Sequence, residues 1–449
     1  MSFEYRNRLA RGHDLPGVLL NRRTAMTSVL GLILLAGCTP TDSEKTDGGQ
    51  TGDEFDQIFQ RVSGETDREK KKGPAQGGAS ESLSEFAWSF YGESQTPGEN
   101  FVYSPYSIHS AAAMLYAGAA GNTQSEMQSV FSFSDEGAPF HQDQNDLIQC
   151  LDARNIEATG ERNAQHLKVT NDFWMEKGFE PEADFLNVLS SYYGAPVHVW
   201  DAEPEEVRGA INDKISDDTS GLIPELLPQG SLDDAVFVLT NALYFKARWG
   251  LPFLADATET SPFTDGDGAI SEADLMFNED SYAYRDDGDV EVVSLGYSGG
   301  ELEFVAMMPQ AGEFESFASG LDAARVAELT TDLPYVRMNL RFPKMDLETG
   351  LPLTEELKEA GMNDAFETQA ADFSPLAPSV YLTNAFHQAR LILDEEGTEA
   401  AAATAFVGGT TSVPPEPTVD ATFDRAFVFF IRDIETQAPL FVGHYSKGQ

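Results

Sequence analysis

Strand-like and helix-like stretches recur side by side along this chain, and together they predict an α+β fold. Val236–Trp249 is a long, β-rich apolar run without proline, as expected of a strand buried on both faces. Leu83, Phe86, Ala87 and Phe90 instead fall at helical spacing. With 449 residues, 41% of them hydrophobic, and 30 Phe and 14 Tyr, the chain has ample material for a large packed core. Its formal net charge is −45, which excludes a protein that binds a nucleic-acid backbone. Because hydrophobic content this high argues against disorder, the charge is expected to lie on a solvated, self-repelling surface suited to high salt.

Taken in order, the chain opens on a targeting segment, residues 1–37. Arg22-Arg23 precedes an apolar run, Val29–Ala36, that is too short to span a bilayer. It ends in Leu35-Ala36-Gly37-Cys38, which resembles a lipobox, so Cys38 is expected to be lipidated and to form the only link to a membrane. The arginine pair suggests twin-arginine export, although Thr24-Ala25-Met26 lacks the bulky apolar residue that usually follows such a pair. With Cys38 so used, Cys150 is the one cysteine of the body, expected as a small buried apolar residue with no disulfide partner. Residues 38–79 are rich in Thr, Asp, Gly, Gln and Lys and are expected to form a flexible acidic tether. Within it Phe55–Val62 could make a short helix, and Lys70-Lys71-Lys72 reads as a solvated charge run.

The body is expected over residues 80–449. Asn100–Ile108 reads as a strand leading into an alanine-rich helix, Ser110–Ala120, stopped by Gly121-Asn122. Thr170–Trp174 follows as a strand, Phe185–Tyr193 as an amphipathic helix, and Leu353–Glu359 as another helix. Gly296-Tyr297-Ser298-Gly299-Gly300 matches a hydrolase nucleophile elbow, but it lies between two strand-like runs, Val290–Leu295 and Leu302–Met308. An elbow needs a strand before it and a helix after it, so a hairpin turn is expected. Asp265-Gly266-Asp267-Gly268 partly matches a calcium loop, yet Phe263 fills the first ligand position and Pro262 spoils the entering helix. A turn is expected here too, and no metal or cofactor is called for. Near the end, strand-like Ala389–Leu393 and Phe427–Ile431 are separated by more than thirty residues without a clear element. So long a connection is usually functional or disordered. It holds a hinge-like Gly397, four consecutive alanines that also favour helix, a Gly-Gly-Thr-Thr-Ser tip and a stiff Pro-Pro.

Resemblance to a known family decides among these alternatives. Glu395-Glu396-Gly397-Thr398-Glu399-Ala400-Ala401-Ala402-Ala403-Thr404-Ala405 resembles the hinge of an inhibitory serpin, and Ser412-Val413-Pro414-Pro415-Glu416 the segment beyond its scissile bond. Gly361-Met362-Asn363-Asp364-Ala365-Phe366, Ala371-Asp372-Phe373-Ser374 and Phe427–Arg432 are also serpin-like, and Ala210–Ile223 resembles the helix that crosses the main sheet. Departures occur at Ala247, where the family usually has Gly, at Lys214, often Trp, at Ala426, usually Pro, and at His444, usually Arg. The likeness covers residues 80–449. It implies three β-sheets, about eight or nine helices and an exposed reactive loop at about 395–416.

By the same resemblance Thr411–Ser412 is the reactive bond, and Glu395, Gly397, Thr398, Glu399, Ala400, Ala401, Ala402 and Ala403 form the hinge. Ser104, Ser107, Asn241 and His387 match a polar cluster beneath the opening strands, and Trp249 the point where insertion starts. The implied function is irreversible, conformation-trapping inhibition of a serine protease by a monomer that is not itself an enzyme. A small residue at Thr411 suits a small specificity pocket, subtilisin-like or elastase-like. The alternative, a non-inhibitory serpin serving as a binding or carrier module, would be expected to carry bulky, charged or proline residues in the hinge. Strand alternation adds a check: inserted as a strand, the loop would turn Thr398, Ala400, Ala402, Thr404 and Phe406 to the core, and Glu399 outward. No ion would then be buried.

Overall fold

A computed structural model describes residues 51–73, 77–94, 98–134, 136–156, 165–233, 235–398 and 419–449, with ten α-helices and sixteen strands among them. Cys38, Glu399, Ala400, Ala401, Ala402, Ala403, Thr411 and Ser412 lie outside the described residues. α1 (Thr51–Ile58) and β1 (Phe59–Val62) precede α2 (Gly78–Ser94). β2 (Phe101–Tyr103) leads into α3 (Pro105–Tyr116), whose start is set by Ser104 accepting from the Ser107 amide and by Pro105 in the first turn. The expected helix stop at Gly121-Asn122 is instead the start of α4 (Gly121–Val130): α3 has already ended, and Gly121, at φ +57°, redirects the chain.

Next come α5 (Gly137–Asp152), β3 (Gln165–Glu176), α6 (Ala183–Val188) with a π-helical turn to Tyr193, and β4 (Val197–Trp200). α7 (Pro204–Asp218) and β5 (Phe237–Arg248) follow. The middle of the chain is β6 (Glu259–Thr264), β7 (Ile270–Asp286), β8 (Val290–Gly296) and β9 (Leu302–Pro309). After α8 (Phe314–Ser319) and α9 (Ala323–Thr330) come β10 (Tyr335–Pro343), β11 (Met345–Leu351) and α10 (Leu353–Glu359). The last strands are β12 (His387–Leu393), β13 (Gly397–Thr398), β14 (Val419–Thr422), β15 (Phe427–Asp433) and β16 (Pro439–Tyr445).

The strands form a seven-stranded sheet, β1-β4-β3-β5-β13-β12-β11, and a nine-stranded sheet, β14-β10-β7-β8-β9-β15-β16-β2, with β6 on β7. The α+β serpin fold stands, but the three expected sheets are two hydrogen-bonded networks. The cause is the length of β7: its start pairs with β6, its middle, from Leu275 to Ala283, with β10, and its end with β8, joining what would otherwise be separate sheets. Phe245, Leu391, Phe304, Phe429 and Phe441 belong to one buried cluster drawn from both sheets. Gly-x-Ser-x-Gly is the β8–β9 turn and Asp265–Gly268 a turn before β7, both as expected.

Part of the segment expected as a free tether is folded onto the body. β1 pairs antiparallel with β4, from Phe59 opposite Trp200 to Val62 opposite Val197, and Ile58 and Phe59 are buried. Beyond β1, the Gly64 amide donates to Ser190, and the Lys72 and Gly73 amides donate to the Asp146 carboxylate. Polar composition suggested a free segment. An edge strand with open backbone groups and an apolar surface beside Trp174 and Trp200 draws residues 55–73 onto the body instead. Cys150 is a buried free cysteine packed with Leu147 and Leu151 in an apolar cluster, as expected, and its sulfur also accepts from Arg154 Nη2 at 3.3 Å.

Candidate functional site

β5 pairs with β3 over eleven residues on one side, while on the other it meets only Gly397 and Thr398 among the described residues. Those two residues are β13, which also pairs with the end of β12 through Leu393 and Thr398. Gly397 and Thr398 are therefore seated between β5 and β12, antiparallel to both.

The reversal from β12 into β13 is built by Asp394. Its carboxylate accepts from the amides of Glu396 (2.8 Å) and Gly397 (3.1 Å), the local bond that makes Asp a turn former. Trp249 then fastens the turn: its amide donates to the Glu396 carbonyl (2.8 Å) and its indole Nε1 to the Asp394 carbonyl (2.9 Å). The Glu395 carboxylate accepts from Thr258 (2.6 Å) and Lys344 (2.9 Å). Burial alone would raise its pKa, but those hydrogen bonds and the Lys344 charge hold it below the ordinary carboxylate value. Glu396 pairs with Arg248 at 3.0 Å. Gly397, at φ +155°, lies so close to β5 that a Cβ there would stand 2.1 Å from the Ala247 carbonyl oxygen.

Thr398 is 1% exposed, and its Oγ1 lies 2.7 Å from the Tyr297 hydroxyl. It faces the core, as strand alternation predicted. Tyr297 stacks on Trp249 with ring centroids 4.7 Å apart, and burial drives its phenol pKa well above the ordinary value. Sequence reasoning missed Tyr297 as a hinge partner, since its one visible feature was membership of a turn motif.

Lower in the sheet, His387 begins β12 and is buried; its Nε2 accepts from the Ser104 amide at 3.0 Å. Burial pushes its pKa down to about 3, so the ring is neutral, as that acceptor role requires. The Ser107 amide donates to Ser104 Oγ at 3.2 Å, and Ser107 Oγ is buried without a hydrogen-bond partner among the described residues. The structure thus brings Ser104, Ser107 and His387 together. Asn241 lies in β5, its backbone opposite Asn171.

Known proteins can be set beside this geometry. The family model for serpin (serine protease inhibitor) matches residues 81–448. Human leukocyte elastase inhibitor is 32% identical over 366 residues, covering 78% of this chain and 94% of that protein. A serpin-like protein of the archaeon Methanosarcina mazei is 28% identical over 353 residues, covering 77% and 80%. Among solved structures, the thermophilic serpin tengpin in its native state superposes with a TM-score of 0.75 at 23% identity, covering 87% of this chain and all of that one, a likeness of fold. Human thyroxine-binding globulin follows at a TM-score of 0.71 and 25% identity, covering 84% of this chain and all of that one. With nearly the whole described body matched by one family model and by a relative above 30% identity, the chain belongs to the serpin family.

Proposed function

We propose that this serpin traps serine proteases irreversibly, by cleavage and insertion of its loop. The observation that carries this is Thr398, already paired between β5 and β12 with its side chain turned to the core. Continuing that register would set Ala400 between Phe245 and Leu391, Ala402 between Leu243 and Ala389, and Thr404 between Asn241 and His387. Small side chains would thus sit beside Phe245, Leu391 and Leu243, and a hydroxyl would arrive beside His387. Glu399 would face away from the core, so insertion would bury no charge there.

A protease attacking the Thr411 carbonyl forms an acyl-enzyme. The severed loop is then free to add to the sheet, and serpin loop insertion is itself an established example of strand addition. About ten residues of new ladder, at roughly 0.5–1.5 kcal/mol net per hydrogen bond, supply on the order of 10 kcal/mol. Dragging the tethered protease along distorts its site, and loss of one oxyanion donor slows chemistry by roughly 10²–10³. Hydrolysis of the ester then stalls. The intact form must be kinetically trapped to store what it later releases. A small residue at Thr411, and relatives named as leukocyte elastase inhibitors, support a target with a small specificity pocket.

The test is incubation with elastase-like and subtilisin-like proteases, followed by denaturing electrophoresis. An adduct that survives SDS is expected. Thr398→Arg, which sets a charge in the core-facing position, should convert the protein into a substrate that is cut and released. Stoichiometric inhibition by that variant, or no adduct from the natural sequence with any such protease, would remove the mechanism and leave the binding-module reading.

A further inference from the structure

One face of the seven-stranded sheet is covered by α7 and by the segment 219–236 that joins it to β5. Ile211, Ile215 and Leu227 of this cover share a buried cluster with Trp174, Val238 and Ala242 of the sheet. Phe386, just ahead of β12, packs against the same cluster. The cover therefore reaches from β5 to the entrance of β12, the two strands that flank Thr398. A strand continuing from Thr398 would pass beneath it, with Ala403 opposite Ala242 and Ala405 opposite Thr240.

An ionic cluster is set into this layer. Asp172 of β3 is buried, and its Oδ2 lies 2.5 Å from Nζ of Lys214 on α7. Its Oδ1 lies 3.1 Å from Nε2 of His198 on β4. Lys214 Nζ is also 2.6 Å from Asp218 one turn along α7, and Lys168 reaches the other oxygen of Asp218 at 2.6 Å. The His198 ring lies along Trp174 at 4.6 Å, with Phe55 and Phe59 against it edge-on. Asp172 is paired through its backbone with Thr240, so the carboxylate sits at the level that Ala405 would reach.

An ion pair between a buried carboxylate and a part-buried ammonium behaves unlike the apolar contacts around it. Dispersion contacts are individually tiny and can slip past one another, whereas parting two partly desolvated charges meets a discrete penalty. Here each charge keeps a second partner if α7 lifts: Lys214 retains Asp218 on its own helix, and Asp172 retains His198 on the neighbouring strand. Such a pair can open and close again without stranding an ion.

We propose that Lys214 and Asp172 form a releasable clamp that holds α7 on the sheet and sets how fast the loop passes beneath it. Lys214 is thus a positioning residue for insertion, at one of the sites where this chain departs from the aromatic residue that serpins often carry. Because the clamp acts on insertion, it stands only if the inhibitory function does.

Lys214→Met keeps most of the stem and removes the charge; Lys214→Arg keeps the charge; Ile215→Val loosens the same helix without touching an ion. After cleavage by a protease, insertion is followed by stopped-flow Trp fluorescence, and gels give the ratio of trapped to merely cleaved inhibitor. Lys214→Met should speed insertion about tenfold, which corresponds to about 1.4 kcal/mol on the barrier. It should also raise the trapped fraction, while Lys214→Arg stays near the parent. Both Lys214→Met and Ile215→Val should lower the native Tm, so Tm alone decides nothing. If the parent traps protease and Lys214→Met inserts no faster than Ile215→Val, the clamp is overturned and the inhibitory function survives. If the parent neither traps nor inserts, the inhibitory function itself fails.

Discussion

At Gly397 the hinge has no room for a side chain. Alanine there would drive its Cβ into the Ala247 carbonyl, so Gly397→Ala should unseat Thr398 and cost about 1–3 kcal/mol, read as a fall in Tm. An unchanged Tm would mean that β13 is not tightly held. His387 makes a second residue-scale prediction. Its Nε2 accepts from Ser104, and burial lowers its pKa from about 6.5 to about 3. As pH falls through that window the unfolded chain takes up a proton that the native state refuses, so stability is lost from about pH 6.5 down to about 3. Buried His109 and His141, pushed to about 3 and about 4, act in the same direction. In His387→Asn the proton uptake on unfolding near pH 5 should fall by about one, measurable from the slope of stability against pH. A slope equal to the parent's would show that His387 is already charged or exposed in the native state.

At the scale of elements, β1 is the largest difference between expectation and structure. Composition alone made residues 38–79 a tether, because polar residues dominate and only Phe55, Ile58, Phe59 and Val62 carry apolar bulk. Those few residues are enough once β4 offers an open edge and Trp174 and Trp200 an apolar wall. Phe59, with its ring 4.8 Å from that of Trp174, should cost about 3 kcal/mol on truncation to alanine. Urea denaturation checks this, and a change below about 0.5 kcal/mol, the usual size of a surface substitution, would show that β1 contributes no packing. Other elements were legible because their signals are short-ranged. Val236–Trp249 was recognisable as a buried strand from its unbroken β-rich run, and Leu353–Glu359 as a helix from its spacing. The end of α3 was misplaced because Gly121 resembles a helix stop, although a glycine at positive φ can equally begin a new direction.

Across the whole molecule, the charge balance leads to a prediction about salt. With 74 acidic and 29 basic residues, self-repulsion in the compact state falls as ions screen it. Tm should therefore rise steadily between about 0.1 M and about 3 M KCl, with screening complete within a few ångströms at the upper end. A melting temperature independent of salt would show that the acidic surface carries no such strain. Asp172 is buried under α7 and its pair with Lys214 is partly shielded, so that pair should persist across the same range better than the more exposed Glu395–Lys344.

The sequence alone determined the mixed fold class, the serpin resemblance and the inward face of Thr398. Each of these depends on residues within a few positions of one another, through alternation, helical spacing or a contiguous motif. Tertiary structure alone decided that Tyr297 receives Thr398, that Lys344 holds Glu395, that Lys214 reaches Asp172 and that β1 closes the edge at β4. Thr398 and Tyr297 are 101 residues apart in the chain, and no local periodicity encodes which side chains meet across such a distance. That choice is made when packed elements fix one arrangement, in which a buried hydroxyl or charge must find its partner or remain unsatisfied.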